Sequence, residues 1–163
     1  MADRPAGNAG AAGRGFPRDS RSACGPGWPV NSRFLFDTDI VSDLVRTPQG
    51  RAAARIASIG EAAVATSLIV AAELRYGAAK KASARLTAQL EQVLGALEVI
   101  SLDVPADRQY GDVRSRLEAA GTPIGGNDLL IAAHAIVLDM TLVTDNVRAF
   151  GHVAGLRVEN WLR

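Results

Sequence analysis

Four acidic side chains are spaced so that one fold could bring them together. One follows a run of three large apolar residues, one lies in an alanine-rich helical stretch, one follows a double glycine and one follows a second apolar run: Asp37, Glu73, Asp128 and Asp145. Taken singly, each is more often a solvated surface acid or a helix cap. Two ionised carboxylates about 4 Å apart repel by roughly 4 kcal/mol at an effective dielectric near 20, so four converging acids would destabilise an empty site.

A divalent cation would reverse the sign of that interaction. Mg²⁺ and Mn²⁺ prefer oxygen ligands, and Mg²⁺ is commonly held by one or two carboxylates together with waters and a substrate phosphate. Such a site can activate water and neutralise charge at a phosphodiester, with one metal ion or two. Together the four acids therefore predict a cation site suited to phosphodiester chemistry.

The other reactive residue types form no competing site in the sequence. His134 lies within an apolar helical stretch, which predicts core packing, and His152 lies in a late loop. The single cysteine, Cys24, excludes an internal disulfide and a cysteine-built zinc site. A nucleophile elbow, a Walker-type loop and a dinucleotide fingerprint are all absent from the sequence.

Short strands alternating with helices would position the acids. The run Phe34-Leu35-Phe36 is typical of a strand buried on both faces of a parallel sheet, and such sheets present their chemistry just beyond the carboxyl ends of the strands. Asp37 is therefore expected at that edge. About five strands alternate with six helices, which predicts an open α/β sheet with right-handed crossovers.

Several boundaries follow from turn and cap signals. Pro48 suits the first turn of a helix running to about Ser58, and residues 62–65 are interpreted as the second strand. Thr66 and Ser67 offer a helix cap before an amphipathic stretch that Gly77 is expected to loosen or end. The last strand is predicted at residues 156–158.

The first 31 residues differ in composition from the rest. They contain six of the 16 Gly, four of the seven Pro, four Arg and two Asp, which predicts a disordered extension before one domain at residues 32–163. Removing those charges from the totals of 18 basic and 17 acidic residues leaves 14 and 15, a net charge of −1. A globally basic nucleic-acid binder is therefore not indicated. The absence of a secretory signal and of any apolar run of about 18 residues predicts a cytoplasmic protein without a membrane partner.

Four motifs, in this order and spacing, resemble the acidic motifs of PIN-domain ribonucleases, in particular the VapC toxins of bacterial toxin–antitoxin pairs. The motifs and a closing segment similar to that family's carboxyl end lie at residues 34–39, 71–77, 124–134, 142–146 and 155–161. The resemblance covers about residues 33–163. It implies a three-layer α/β/α domain with a short, mostly parallel central sheet.

The same resemblance implies a Mg²⁺- or Mn²⁺-dependent endoribonuclease that hydrolyses RNA phosphodiester bonds. The family is usually homodimeric and is held inactive by a VapB-like antitoxin. Carried over by position, the metal ligands and catalytic residues would be Asp37, Glu73, Asp128 and Asp145.

Three neighbouring residues are expected to support the acidic site. Thr144 would orient the acids through its hydroxyl. Asp39 stands where the family often has Asn, and either caps a helix or supports the ligands from behind. The same two interpretations apply to Asn127. Separately, a basic set could steer RNA phosphate or simply form a solvated face: Arg75, Lys80, Lys81 and Arg85.

Two other functions fit part of the pattern. Residues 37–41 are similar to the acidic start of haloacid-dehalogenase-like phosphatases, in which the first Asp is a nucleophile. That chemistry also needs a Lys near a strand end, and the two lysines, Lys80 and Lys81, are adjacent in helix-like surroundings. The second alternative is a catalytically inactive interaction module, for which a complete set of four acids is unnecessary.

Overall fold

The computed structural model describes residues 33–163, which form a five-stranded parallel sheet with helices between the strands. The extension predicted for residues 1–31 lies outside the described residues. The strands are β1 (Phe34–Phe36), β2 (Val64–Ser67), β3 (Glu98–Ile100), β4 (Thr141–Val143) and β5 (Val158–Glu159). Their order across the sheet is β3-β2-β1-β4-β5, and every neighbouring pair is parallel. The α/β class with a short parallel sheet is confirmed.

Within residues 33–163, seven α-helices and one 3₁₀ turn connect the strands. The helices are α1 (Thr38–Arg46), α2 (Arg51–Ile59), α3 (Leu68–Lys81), α4 (Ala84–Ala96), α5 (Ala106–Ala119), α6 (Gly126–Val137) and α7 (Val147–Phe150), and the 3₁₀ turn is Glu61–Ala63. Helix α3 packs against both α4 and α6, and α5 packs along α6. Helices α3 and α6 carry one acid each, so their packing determines where those acids meet.

Strand β1 lies in the centre of the sheet and of the core. Its three side chains are at most 3% exposed. Full burial of an aromatic or aliphatic side chain of this size contributes roughly 1.5–3 kcal/mol. Phe36 is level with Thr66 on one side and with Val143 on the other. The strands therefore end at one common edge, the carboxyl-end rim, and the residues that follow them emerge side by side.

The second strand and the helix after it differ from the prediction. Residues 62–63 belong to the 3₁₀ turn, and β2 begins at Val64. Ser67 ends β2 and also caps α3, because its hydroxyl accepts the backbone N–H of Ile69 at 3.2 Å. Gly77 does not end α3, which continues to Lys81. A helical glycine costs only about 1 kcal/mol relative to alanine, and packing of α3 against α1, α4 and α6 outweighs it.

Three further features also differ from the prediction. Pro48 lies in the turn before α2, whose N-cap is Gly50. Strand β5 begins at Val158 because its pairing partner in β4 is Leu142. The four-residue helix Val147–Phe150 brings the helices to seven rather than six, and it is too short to show a helical period in sequence. Among residues 33–163, none of the helices is long and apolar enough to cross a bilayer.

Candidate functional site

Asp37 lies on the carboxyl-end rim immediately after β1. Its backbone N–H continues the ladder to the Val143 carbonyl at 3.0 Å. One carboxylate oxygen, Oδ1, caps α1 by accepting the Thr38 N–H at 2.7 Å. The other, Oδ2, accepts the Thr144 hydroxyl at 2.8 Å. Since the residue is only 6% exposed, backbone and side chain are both held in place.

Burial also makes Asp37 a weaker acid than an exposed aspartate. It raises the pKa of Asp37 from its ordinary 3.8 to about 6, and the hydrogen bonds from Thr144 and Thr38 oppose part of that rise. The negative charges of Asp39 and Asp128 raise it further. A carboxyl that is buried beside other acids is the electrostatic pattern of a functional site.

Asp39 joins the end of β4 to the start of α1. Its Oδ2 accepts the backbone N–H of Asp145 at 2.6 Å and the Thr144 hydroxyl at 3.3 Å. The N-cap of α1 is Asp37, so Asp39 does not cap that helix, and its support of the ligands stays a prediction. Its other oxygen, Oδ1, is buried and has no hydrogen-bond partner within the described part of the chain. Such an orphaned acceptor is costly unless a cation or water satisfies it.

Glu73 projects from α3 to the starts of two other helices. The Thr38 hydroxyl donates to its Oε2 at 2.6 Å, and the Asn127 amide donates to its Oε1 at 2.7 Å. Thr38 belongs to α1, and Asn127 lies in the first turn of α6. Asn127 therefore contacts Glu73 and is not the N-cap of α6, which is Gly125.

Asp128 lies beside Asn127 in the first turn of α6. Burial raises the pKa of Asp128, the charges of Glu73 and Asp39 raise it further, and a backbone hydrogen bond from Gly125 opposes them. A Cβ atom at Gly125 would lie 3.3 Å from Asp128 Oδ2, so the glycine lets the carboxylate fold back onto the helix start. Asp128 therefore lies within reach of the negative charges of Asp39 on α1 and Glu73 on α3.

Asp145 reaches the rim through its backbone, while its side chain turns toward the closing segment. Asn160 Nδ2 donates to Asp145 Oδ1 at 2.8 Å, and Arg163 Nε lies 3.1 Å from the same oxygen. These two partners lower the pKa of Asp145, and the Asn160 hydrogen bond is the largest single cause. The structure thus brings Asp37, Glu73 and Asp128 into one electrostatic group and places the Asp145 carboxylate at its margin.

The donor set suits a hard cation, although its side chains are not arranged as a finished coordination sphere. No group of three or more His, Cys, Asp or Glu side chains within residues 33–163 is placed so that it could hold a metal ion. The available donors are carboxylate oxygens, and the orphaned Asp39 oxygen and the raised pKa of Asp37 both indicate uncompensated negative charge. Mg²⁺ commonly takes one or two carboxylates and fills its octahedron with water, so three converged ligands are not required.

The basic set is only partly available for RNA. Arg75 donates from Nε and Nη2 to the two carboxylate oxygens of Glu91 at 2.8 and 2.9 Å. Its guanidinium is therefore already engaged in an ion pair. Lys80, Lys81 and Arg85 are exposed. RNA steering by these three stays a prediction.

Sequence reasoning missed three residues that hold the acids. Thr38 contacts Glu73, and Asn160 and Arg163 contact Asp145. Thr38 and Asn160 lie inside motifs that had been recognised, so their position was a usable signal. Their partners lie 35 and 15 residues away, and sequence spacing alone does not identify such contacts.

Comparison with known proteins gives consistent matches. The family model described as PIN domain matches residues 34–156. A ribonuclease VapC2 of Rickettsia felis is 43% identical over 99 residues, which cover 60% of this chain and 74% of the relative. A tRNA(fMet)-specific endonuclease VapC of Salmonella typhimurium is 32% identical over 130 residues, covering 79% and 98%. The crystal structure of VapBC2 from Rickettsia felis, bound to a DNA fragment from its promoter, contains a chain that is similar at a TM-score of 0.73 and 34% identity, covering 78% of this chain and 98% of that one.

Proposed function

The chain belongs to the PIN-domain family, and from that premise we propose that it is a VapC-like endoribonuclease that hydrolyses RNA phosphodiester bonds with Mg²⁺ or Mn²⁺, as the toxin of a toxin–antitoxin pair. The metal ligands would be Asp37, Glu73, Asp128 and Asp145. Thr144, Asp39 and Asn127 would hold those ligands in position.

One observation carries the proposal: hydrogen bonds connect all four acidic motifs at one end of the sheet. Glu73 bridges the starts of α1 and α6 through Thr38 and Asn127. Asp39 and Thr144 join the start of α1 to the end of β4 on the other side of Asp37. Four segments that are distant in sequence thus place their polar groups at the same rim, and most of those groups are carboxylates.

The chemistry needs one water molecule and one phosphodiester. When bound, the cation would supply charge neutralisation at the phosphate and a more acidic water. In hydrolysis the water oxygen bonds to phosphorus, one P–O ester bond breaks and the departing oxygen takes up a proton. Asp37 and Asp128 would hold charge at the centre of the site, and the Thr144 and Thr38 hydroxyls would keep the carboxylates from rotating away.

The primary test is cleavage of RNA by the purified protein with and without chelator. Transfer RNA(fMet) is the first substrate to try, since the Salmonella typhimurium relative is named for it. Cleavage should require Mg²⁺ or Mn²⁺ and should be lost in Asp37→Asn and Asp128→Asn. Asp112→Asn, an exposed acid on α5, is the matched control for loss of one negative charge. Metal-dependent cleavage that survives both site substitutions would overturn the assignment.

We propose that the partner is a VapB-like antitoxin, since solved relatives from Rickettsia felis and Salmonella typhimurium are VapBC complexes. Co-expression with the product of a small adjacent reading frame should suppress the ribonuclease activity. A co-purified complex that cuts RNA as fast as the free protein would contradict this partnership.

We also propose that the chain forms a homodimer. Leu68 and Tyr76 lie two helical turns apart on α3 and are 46% and 69% exposed, an apolar pair that a second copy would cover. Light scattering on the antitoxin-free protein should give twice the chain mass, and Tyr76→Asp should shift it toward monomer. A monomer at micromolar concentration would refute the dimer.

The two alternatives are not favoured. The family match and the VapC relatives do not support a haloacid-dehalogenase-like phosphatase, and both lysines lie at the end of α3 rather than at a strand end. An inactive interaction module offers no account of why three buried or half-buried acids share one rim, because uncompensated burial of carboxylates is destabilising.

A further inference from the structure

A buried polar pair connects α6 to the start of α3. His134, on α6, is 2% exposed, and its Nδ1 lies 3.0 Å from the hydroxyl oxygen of Ser67, which is fully buried. The same hydroxyl oxygen accepts the Ile69 N–H as the N-cap of α3. Ser67 is also the last residue of β2. One side chain thus ties the sheet, α3 and α6 together.

The facing polar atoms of Ser67 and His134 satisfy each other in the core. Burial lowers the pKa of His134, and a backbone hydrogen bond to Ser101 opposes part of that effect. Nδ1 and the Ser67 hydroxyl can share a hydrogen bond in either tautomer of the ring, since a hydroxyl both donates and accepts. A satisfied buried contact of this kind holds one specific arrangement, because breaking it leaves unpaired polar groups in the core.

The position of this contact relates it to the acidic site. Helices α3 and α6 make two polar contacts, Ser67 with His134 and Glu73 with Asn127. Moving six residues forward along α3 corresponds to moving seven residues back along α6, so the helices run antiparallel there. At 1.5 Å per residue the two contacts lie about 9 Å apart on α3 and about 10.5 Å apart on α6. The buried contact therefore controls the register in which Glu73 meets the start of α6.

We propose that Ser67 and His134 form a register pin, a pair of positioning residues that sets the distance between Glu73 and Asp128. The inference rests on the proposed function, because it matters only if those two acids act together. A slip of α6 by one residue would move Asp128 by about 1.5 Å along α3. A displacement near 1 Å at reacting groups can lower a rate by about 100-fold.

Core packing alone would predict a different outcome. A histidine that only fills space can be replaced by an apolar residue of similar size with some loss of stability and no effect on the acids. A register pin predicts that metal affinity and turnover change whenever the hydrogen bond is removed, even in a folded protein. Removing a group that orients metal ligands typically lowers metal affinity or activity about 10- to 100-fold.

The test compares Ser67→Ala, His134→Leu and the double variant, with Ser67→Thr as the conservative version. Ser83→Ala is the matched control, because Ser83 caps α4 by accepting the Leu86 N–H at 3.3 Å as Ser67 caps α3. The Mn²⁺ dissociation constant is read from free Mn²⁺ by electron paramagnetic resonance. Turnover and KM for RNA are measured separately, at a temperature where circular dichroism shows each variant folded.

Each single variant should raise the Mn²⁺ dissociation constant and lower kcat about 10-fold, with KM nearly unchanged. The double variant should be no worse than Ser67→Ala alone, because the hydrogen bond between Ser67 and His134 is already lost in that single variant. Ser67→Ala also loses the cap of α3, and Ser83→Ala measures the effect of losing a helix cap by itself. Ser67→Thr and Ser83→Ala should stay within about twofold of wild type on the same measurements.

Two results would overturn the register pin. One is a Mn²⁺ dissociation constant and a kcat within twofold of wild type in folded Ser67→Ala and His134→Leu. The other is the same loss in Ser83→Ala, since that would make it a general effect of losing a helix cap. A wild-type protein that binds Mn²⁺ but cuts no RNA would defeat the proposed ribonuclease instead, and the dissociation constants would still decide about the pin.

Discussion

Replacing Asp37 by Asn should stabilise the cation-free protein while abolishing its activity. Folding raises the pKa of Asp37 from 3.8 to about 6, so the folded state holds a proton more tightly than the unfolded chain does. Stability from this group is therefore greatest below pH 3.8, declines as the pH rises toward 6 and stays low above it. At pH 7.5 the folded protein carries the full penalty of a buried charge, and Asn has no charge to bury.

The size of the effect follows from the contacts of Asp37. A rise of about two pKa units, at 1.36 kcal/mol each, corresponds to about 3 kcal/mol at neutral pH. Asn keeps an acceptor for the Thr38 N–H, but its amide replaces the oxygen that accepts the Thr144 hydroxyl. Losing or weakening that hydrogen bond costs about 1 kcal/mol. We expect a net gain near 2 kcal/mol at pH 7.5, or about 8 °C in Tm for a domain of this size.

The assay is urea unfolding in EDTA at pH 7.5 and at pH 4, with circular dichroism as the signal for unfolding. The gain should disappear at pH 4, where the wild-type carboxyl is largely protonated in the folded state. Asp112→Asn controls for the change in net charge and should give the same small difference at both pH values. In a separate measurement without EDTA, Mn²⁺ at ten times its dissociation constant should stabilise wild type by about 1.4 kcal/mol and Asp37→Asn by less. The difference in the free energy of unfolding between the two proteins should therefore become smaller.

Two results would contradict this prediction: an Asp37→Asn variant less stable than wild type at pH 7.5, or a stability difference between the two proteins that does not change with pH. The first result would mean that the hydrogen bonds to the carboxylate outweigh its burial. The second would mean that its pKa in the folded protein is ordinary. Either would remove the electrostatic argument for a cation at this rim.

Three further predictions follow from the same structure. Arg163→Ala should raise the pKa of Asp145 in an NMR titration, though not to its ordinary value because the Asn160 hydrogen bond remains. An unchanged pKa would show that the ion pair is not populated. Reversing both charges in Lys80→Glu with Lys81→Glu should weaken RNA binding and flatten its dependence on salt, whereas an unchanged slope would remove these lysines from the RNA path. EDTA should abolish RNA cleavage and added Mg²⁺ or Mn²⁺ should restore it, and cleavage in excess EDTA would exclude the proposed cation chemistry.

The parts of the fold that were predictable depend on short sequence patterns. The strand at Phe34–Phe36 and its terminal acid are adjacent in sequence, and the nearly all-apolar α6 indicates a central helix. Gly77 was misleading because tertiary packing of α3 overrides local propensity. The helix Val147–Phe150 and the start of β5 could not be found because four and two residues are too few for a helical or strand period to repeat.

The candidate site was predictable as a set of residues but not as a geometry. Carboxylates in four motifs indicate a shared cation, yet nothing in the spacing shows that Asp145 pairs with Arg163 or that Asp39 accepts the backbone N–H of Asp145. These contacts depend on strand order and on helix ends. Both are set by packing between segments that lie far apart in the chain.

The hydrogen bonds around the acids explain how the rim tolerates its charge. Asp37 and Glu73 each accept two hydrogen bonds, from Thr144, Thr38 and Asn127. These donors stabilise ionised carboxylates and restrict their rotation, so part of the repulsion is offset before any cation binds. The donors come from α1, α6 and the end of β4, which means that the folded core, rather than any single motif, holds the charges together. A substitution that loosens α6 without touching an acid should therefore weaken cation binding, and the Ser67 and His134 variants test this directly.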